Sequence, residues 1–196
     1  MTTTNQKKTT TRKKAASKPI PELAKNPFAF EVLQLASKQR SKAKKVEVLQ
    51  KYGDNSLKAV FIWNFDESVI SLLPEGPVPY ATNGEQNAFS GDMSGKIGDA
   101  VKKMEELGSN SLGMNDQGQT TIRKEFRKFY NFLRGGNPGM NSMRRETLFI
   151  DMLRGLHPLE AEILILIKDK KLQTKYNITK DIVSTAYPDI KWGNRS

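Results

Sequence analysis

No sustained alternation of apolar and polar residues marks this chain, so it offers no pattern for a sheet with one buried face. Apolar residues instead recur at spacings of three and four from Phe28 onward, the period of a helix. The expected class is all-α. Phe28, Val32, Leu33, Leu35 and Ala36 predict a first helix. Ser41 caps a second, with Ala43, Val46, Leu49 and Gln50 at its spaced positions, running to Tyr52. Gly53 suits its C′ position, because glycine tolerates positive φ. Asp54–Asn55–Ser56 offers caps for a third helix through Leu57, Val60, Phe61 and Asn64.

The prolines between Leu73 and Tyr80 remove amide donors and keep that stretch irregular. Thr120 or Thr121 caps a helix carrying Ile122, Phe126, Phe129, Tyr130 and Leu133, ended by the glycines of 135–139. Further helices are expected from Ser142 to Arg154, with Leu148, Phe149, Met152 and Leu153 inward, and from Pro158 to about Lys170, with Glu160 at N3. A last one starts at Thr179, carries Ile182, Val183 and Ala186, and stops before Pro188.

Charge divides the chain. The 196 residues hold 32 Lys and Arg against 21 Asp and Glu, a net charge of +11. Residues 1–18 carry six bases and no acid. Residues 38–51 carry six bases and only Glu47, and residues 123–145 carry seven and only Glu125. Residues 53–122 are acidic, with ten acids against four bases. A negatively charged partner is the first expectation, most often nucleic acid. Residues 1–26 have almost no large apolar side chain and are expected to be a disordered basic tail. A helical domain follows over 27–190, with 81–118 as a flexible acidic insertion rich in Gly, Ser and Asn and bearing one short helix at Lys96–Leu107. Residues 191–196 are expected to be a C-terminal tail.

Several chemistries are excluded. The chain has no cysteine, hence no disulfide, thiolate zinc site or cysteine nucleophile. Its single histidine, His157, supports neither a His-rich metal centre nor a Ser–His–Asp set. Gly91–Asp92–Met93–Ser94–Gly95–Lys96–Ile97 is one residue short of a phosphate loop and lacks the hydroxyl that holds magnesium. Asn115–Gly118 resembles a calcium loop, but Gly113 and Lys124 stand where the end carboxylates belong. No catalytic residue, cofactor or metal is expected, and the chain is read as a non-enzyme. No apolar run approaches the roughly 20 residues that span a bilayer, and no secretory signal is recognisable, so no membrane association is expected.

Three basic groups remain. Lys38, Arg40, Lys42, Lys44, Lys45 and Lys51 straddle the turn between the first two helices, where side chains and helix N–H groups can meet a phosphate together. Arg123, Arg127 and Arg134 share one helical stripe available for phosphate, while Phe126, Phe129, Tyr130 and Leu133 form another that faces the core. Lys168, Lys170, Lys171, Lys175 and Lys180 surround the turn before the last helix, where Thr179 stands at the N-cap.

Two segments together carry a resemblance. Within Leu33–Phe65 stand Lys44–Lys45–Val46–Glu47–Val48–Leu49 and Tyr52–Gly53–Asp54–Asn55–Ser56–Leu57. Within Glu146–Ile190 stand Leu153–Arg154–Gly155–Leu156–His157–Pro158–Leu159–Glu160 and Ile178–Thr179–Lys180–Asp181–Ile182–Val183. In these the chain is similar to the N-terminal helical DNA-binding domain of ATP-dependent DNA ligases, especially those of T4-like phages. It also resembles a family of uncharacterised stand-alone proteins from T4-like phages, including cyanophages. The resemblance implies duplex DNA as partner, gripped through phosphates by turns and helix ends, with Lys44, Lys45, Lys170, Lys171, Thr179 and Lys180 as contacts. It implies a phage origin and hence the host cytoplasm. The chain departs from the ligases at Leu172–Asn177, which has no glycine, and in lacking a lysine two residues before Asp–Gly, the nucleotidyl-transfer motif. Binding without ligation is the expectation. The alternative is a virion or replisome-assembly module that docks phage proteins, with the apolar stretch Leu72–Tyr80 as its recognition patch.

Overall fold

The computed structural model describes residues 20–78, 93–106 and 118–194. It is helical: α1 (Ala29–Lys38), α2 (Lys42–Tyr52), α3 (Asn55–Phe65), α4 (Met93–Glu106), α5 (Ile122–Glu125), a 3-10 segment (Phe126–Phe132), α6 (Ser142–Gly155), α7 (Pro158–Lys168), α8 (Leu172–Lys175) and α9 (Lys180–Ala186). Among the described residues the only β pairing is two isolated bridges, Ser71 with Leu133 and Thr120 with Leu156. The all-α class follows from the spacing.

α7 is the central helix. Leu159, Ala161, Ile163, Leu164 and Ile167 are buried in it, nearly all round. A helix apolar on most sides needs neighbours on most sides, and α7 packs against α1, α3, α4, α6 and α8. Its entry is fixed by His157. The buried imidazole stacks on Phe30 at 4.8 Å and accepts a hydrogen bond from the Leu159 N–H at 3.1 Å. His157 is thus an N-cap and a packing residue.

Glu160, one turn in, reaches beyond its own helix. Its two oxygens accept from the Ala29 N–H at 3.1 Å and the Ile122 N–H at 2.9 Å, the first residues of α1 and α5. Three helix N-termini therefore converge on one buried carboxylate, which satisfies amides that have no partner within their own helices.

The structure differs from the expected elements in several places. The helix expected from Thr121 to Leu133 is α-helical only to Glu125 and then tightens into the 3-10 segment. At three residues per turn, Phe126, Phe129 and Phe132 share a face. Phe129 and Phe132 are buried against Trp63, and Tyr130, expected inward, is 52% exposed. In α2 the buried positions are Lys45, Val48 and Leu49, not Ala43 and Gln50, which are exposed.

The helix expected at Lys96–Leu107 begins earlier, at Met93, and buries Ile97, Val101 and Met104 in the common core against α7. That part of the expected insertion is a layer of the domain. Residues 79–92 and 107–117 lie outside the described residues.

Residues 20–26 of the expected tail are docked. Ile20 and Leu23 pack against the core, and the Leu23 N–H donates to the Tyr52 hydroxyl at 3.1 Å. Residues 1–19 lie outside the described residues. At the other end, Trp192 packs against the core and the Gly193 N–H donates to the Asp66 carboxylate at 3.0 Å, so 191–194 are not a loose tail either.

Gly53 closes α2 with φ −73°, so the positive-φ reason does not hold. The reason is close approach. A Cβ there would stand 1.7 Å from the Tyr187 hydroxyl and 2.3 Å from the Leu49 carbonyl oxygen. That carbonyl accepts from both the Gly53 N–H at 2.8 Å and the Tyr187 hydroxyl at 2.6 Å. Gly53→Ala should lower unfolding stability by about 2 kcal/mol, because the tyrosine that ties α9 to α2 must leave its place. A denaturant midpoint unchanged from wild type would contradict that packing.

Candidate functional site

Two basic turns about 140 residues apart in sequence meet on one surface. α2 packs along α9. At the α2 N-terminus the Ser41 hydroxyl accepts from the Lys44 N–H at 3.3 Å. Lys38 ends α1 and Arg40 lies in the turn, both exposed. Opposite them the Asn177 N–H donates to the Ser37 hydroxyl at 3.0 Å, and Lys42 pairs with Asp181 of α9 at 2.6 Å. The turn before α9 thereby places Thr179 and Lys180, both exposed, beside Lys38, Arg40, Lys42 and Lys44. The Thr179 side chain makes no cap hydrogen bond.

Lys170 and Lys171 extend this surface. Lys170 is held at φ 55°, in the left-handed region that disfavours a β-carbon, with its ammonium donating to the Asp66 carbonyl. Partial burial, and to a smaller degree the nearby Lys180 charge, pull its pKa below the ordinary lysine range, while Asp66 and Glu67 oppose this. Lys171 is exposed. Lys180 lies over the Trp192 ring, 5.2 Å from its centroid. Trp192 was missed in sequence because it lies in the stretch read as a tail, and nothing local marks an indole for burial four residues after a proline.

Other expected contacts are elsewhere. Lys45 is 5% exposed and its ammonium donates to the Asn177 carbonyl. It joins the two turns and is not available to a phosphate. Arg123 is bound to Asp54 at 3.0 Å and donates to Asn26 Oδ1 at 3.2 Å and the Pro27 carbonyl at 3.1 Å. Asp54 caps α3 just past the far end of α2, so Arg123 stands a helix length from the basic turns and does not join them. Arg127 is exposed, on the 3-10 segment that follows Arg123. The expected stripe is broken at this change of helix type.

Lys168 is buried and donates to the Pro74 carbonyl at 2.6 Å and the Gly76 carbonyl at 3.1 Å. It pins the stretch that was the alternative's recognition patch, in which Leu73 and Val78 are buried. Lys175 is paired with Glu162 at 2.6 Å.

Among the described residues no group of three or more His, Cys, Asp or Glu is arranged to hold a metal ion, and no helix is long and apolar enough to cross a membrane. Compared with known proteins, the sequence matches a family of unknown function, DUF6433, over residues 32–106 and 108–174. The chain belongs to this family. The DUF6433 match takes in the turn and helix bearing Lys38, Arg40, Lys42 and Lys44, and the turn bearing Lys170 and Lys171. It ends before Thr179, Lys180 and Trp192. No curated protein and no solved structure matches the chain.

Proposed function

We propose that this protein is a stand-alone DNA-binding accessory protein of a T4-like phage, acting in the host cytoplasm and holding duplex DNA through phosphates without reading sequence. The observation that carries the reading is the meeting of two basic turns. Lys38, Arg40, Lys42 and Lys44 come from one, and Thr179 and Lys180 from the other, with Lys170 and Lys171 alongside. Asp181 on that surface is paired with Lys42, and Glu67 lies near Lys170. A concentration of cations on one face attracts a polyanion and releases its counterions on binding. The α2 N-terminus, capped by Ser41, adds a partial positive charge in the same direction. The resemblance to ligase DNA-binding domains supplies the duplex and the phage context. The absence of a nucleotidyl-transfer lysine motif leaves binding without ligation.

Lys45 and Arg123 are left out of the contact set, because Lys45 is buried against the Asn177 carbonyl and Arg123 is paired with Asp54 at the far end of α2. The test is charge reversal where nothing internal is disturbed. Lys38→Glu with Arg40→Glu should weaken duplex binding by about tenfold or more at low salt and reduce the salt slope by about two, while leaving the unfolding midpoint unchanged. Unchanged affinity in the folded double variant would remove this surface from consideration. Deleting residues 1–19, rather than 1–26, separates any contribution of the basic N-terminal segment, since 20–26 pack on the body.

A further inference from the structure

An indole stands within the basic surface, and its surroundings fix it there. Of the chain's two tryptophans, Trp63 is 1% exposed in the core, whereas Trp192 is only partly buried. Asp66 anchors both sides of the cluster. Its carboxylate accepts from the Gly193 N–H at 3.2 and 3.0 Å, holding the residue after Trp192, and its carbonyl accepts from the Lys170 ammonium. Ile190, two residues before the indole, is buried. Asp66 is itself 1% exposed, so this anchoring adds almost no acidic surface. Lys180, the first residue of α9, lies over the indole ring, and Lys171 is exposed on the turn after α7.

A positioned aromatic ring flanked by lysines is the pairing that single-stranded nucleic acid requires. The ring offers a stacking face to a base, and the ammonium groups meet the phosphates on either side. In an intact duplex the bases stack on one another, so the ring gains a face there only if a step is unstacked.

We propose that Trp192, with Lys180 over its ring, forms a stacking site for an unpaired nucleobase, so that this surface holds single-stranded DNA as well as duplex. The inference rests on the DNA-binding reading above and adds a second substrate class to it. When a base stacks, Lys180 moves from the ring to the neighbouring phosphate. The competing account is that the cation–π contact serves only to fasten the C-terminal segment to α9.

The experiment uses the full chain with labelled oligothymidine of about 15 nucleotides and an intact duplex of the same length. Because Trp63 is buried, indole fluorescence quenched by oligothymidine reports Trp192, and Trp192→Phe should abolish the quench while keeping most of the affinity. Trp192→Ala should weaken oligothymidine binding about tenfold and duplex binding less than twofold. Equal losses on both DNAs, or no quench and no loss, would overturn the stacking site while leaving duplex binding in place. If the wild-type chain binds neither DNA, the reading beneath it falls as well. Trp192→Phe also answers the folding concern, since it keeps the ring that packs on the body.

Discussion

Replacing Glu160 with alanine should destabilise the protein by about 3–5 kcal/mol, a large share of the roughly 5–15 kcal/mol that holds a domain of this kind together. The substitution strips the acceptor from the Ala29 and Ile122 amides at once. Each is the first N–H of a helix, has no intrahelical partner and sits at a buried position. It also widens a cavity of about 300 Å³ that already lies beside this carboxylate between Phe28, Val32, Leu57 and Arg123. Glutamine keeps one acceptor oxygen and nearly the same volume, so it should cost clearly less than alanine. Thermal or denaturant unfolding measures both.

The same residue sets a pH dependence. Burial raises the Glu160 pKa above the ordinary carboxylate range. The Ile122 and Ala29 N–H groups, and the more distant Arg123 charge, pull it down by less, and Asp54 adds a small upward push. A folded-state pKa above the unfolded one means that the folded protein binds the proton more tightly. That stability is fully present below the unfolded carboxylate pKa and is lost as pH rises through the raised folded value. The stability advantage of wild type over Glu160→Gln should therefore shrink as pH rises across that window. An advantage that grows with pH would mean that the amide hydrogen bonds outweigh burial.

Lys45→Glu carries the second large effect. The ammonium now satisfies the Asn177 carbonyl from a nearly closed site. A carboxylate there faces an acceptor and loses its solvation, which should cost about 3 kcal/mol or more and release the turn before α9 from α2. Lys45→Met keeps the stem that packs beside Val48 and Leu49, and should cost about 1–2 kcal/mol through the unpaired carbonyl. Both variants should lose duplex affinity only in step with loss of fold. A well-folded Lys45→Met protein with a large, salt-sensitive loss of affinity would show that this lysine reaches phosphate after all.

The contrast between Lys44 and Lys45 shows how far the sequence could be read. Both belong to one basic block, and composition does not tell them apart. Spacing does: Lys45, Val48, Leu49 and Tyr52 follow the three-and-four rhythm of the buried face, and Lys45 is buried there while Lys44 is not. The phenylalanines at 126, 129 and 132 likewise announce a three-residue period, the mark of a 3-10 turn, once a strict 3.6-residue period is not assumed.

Other features had no local signal. The position of Glu160 near the start of α7 is visible in the sequence, but its partners lie 131 and 38 residues away. Gly53 announces a helix end. That its missing side chain makes room for Tyr187 depends on α9 returning to α2. The meeting of the two basic turns is a tertiary fact of the same kind, visible from each segment only as an unexplained excess of lysine.

The central claim is that this joint surface binds DNA through phosphates, and the salt dependence of duplex affinity tests it most directly. With six cations on this surface, Lys38, Arg40, Lys42, Lys44, Lys171 and Lys180, the logarithm of the binding constant for intact duplex should fall against the logarithm of salt concentration with a slope of about −5. The slope should persist in a chain lacking residues 1–19 and fall to about −3 in that chain when Lys38 and Arg40 are reversed to glutamate. A slope near zero, or one that vanishes with residues 1–19 and ignores the reversal, would contradict the account.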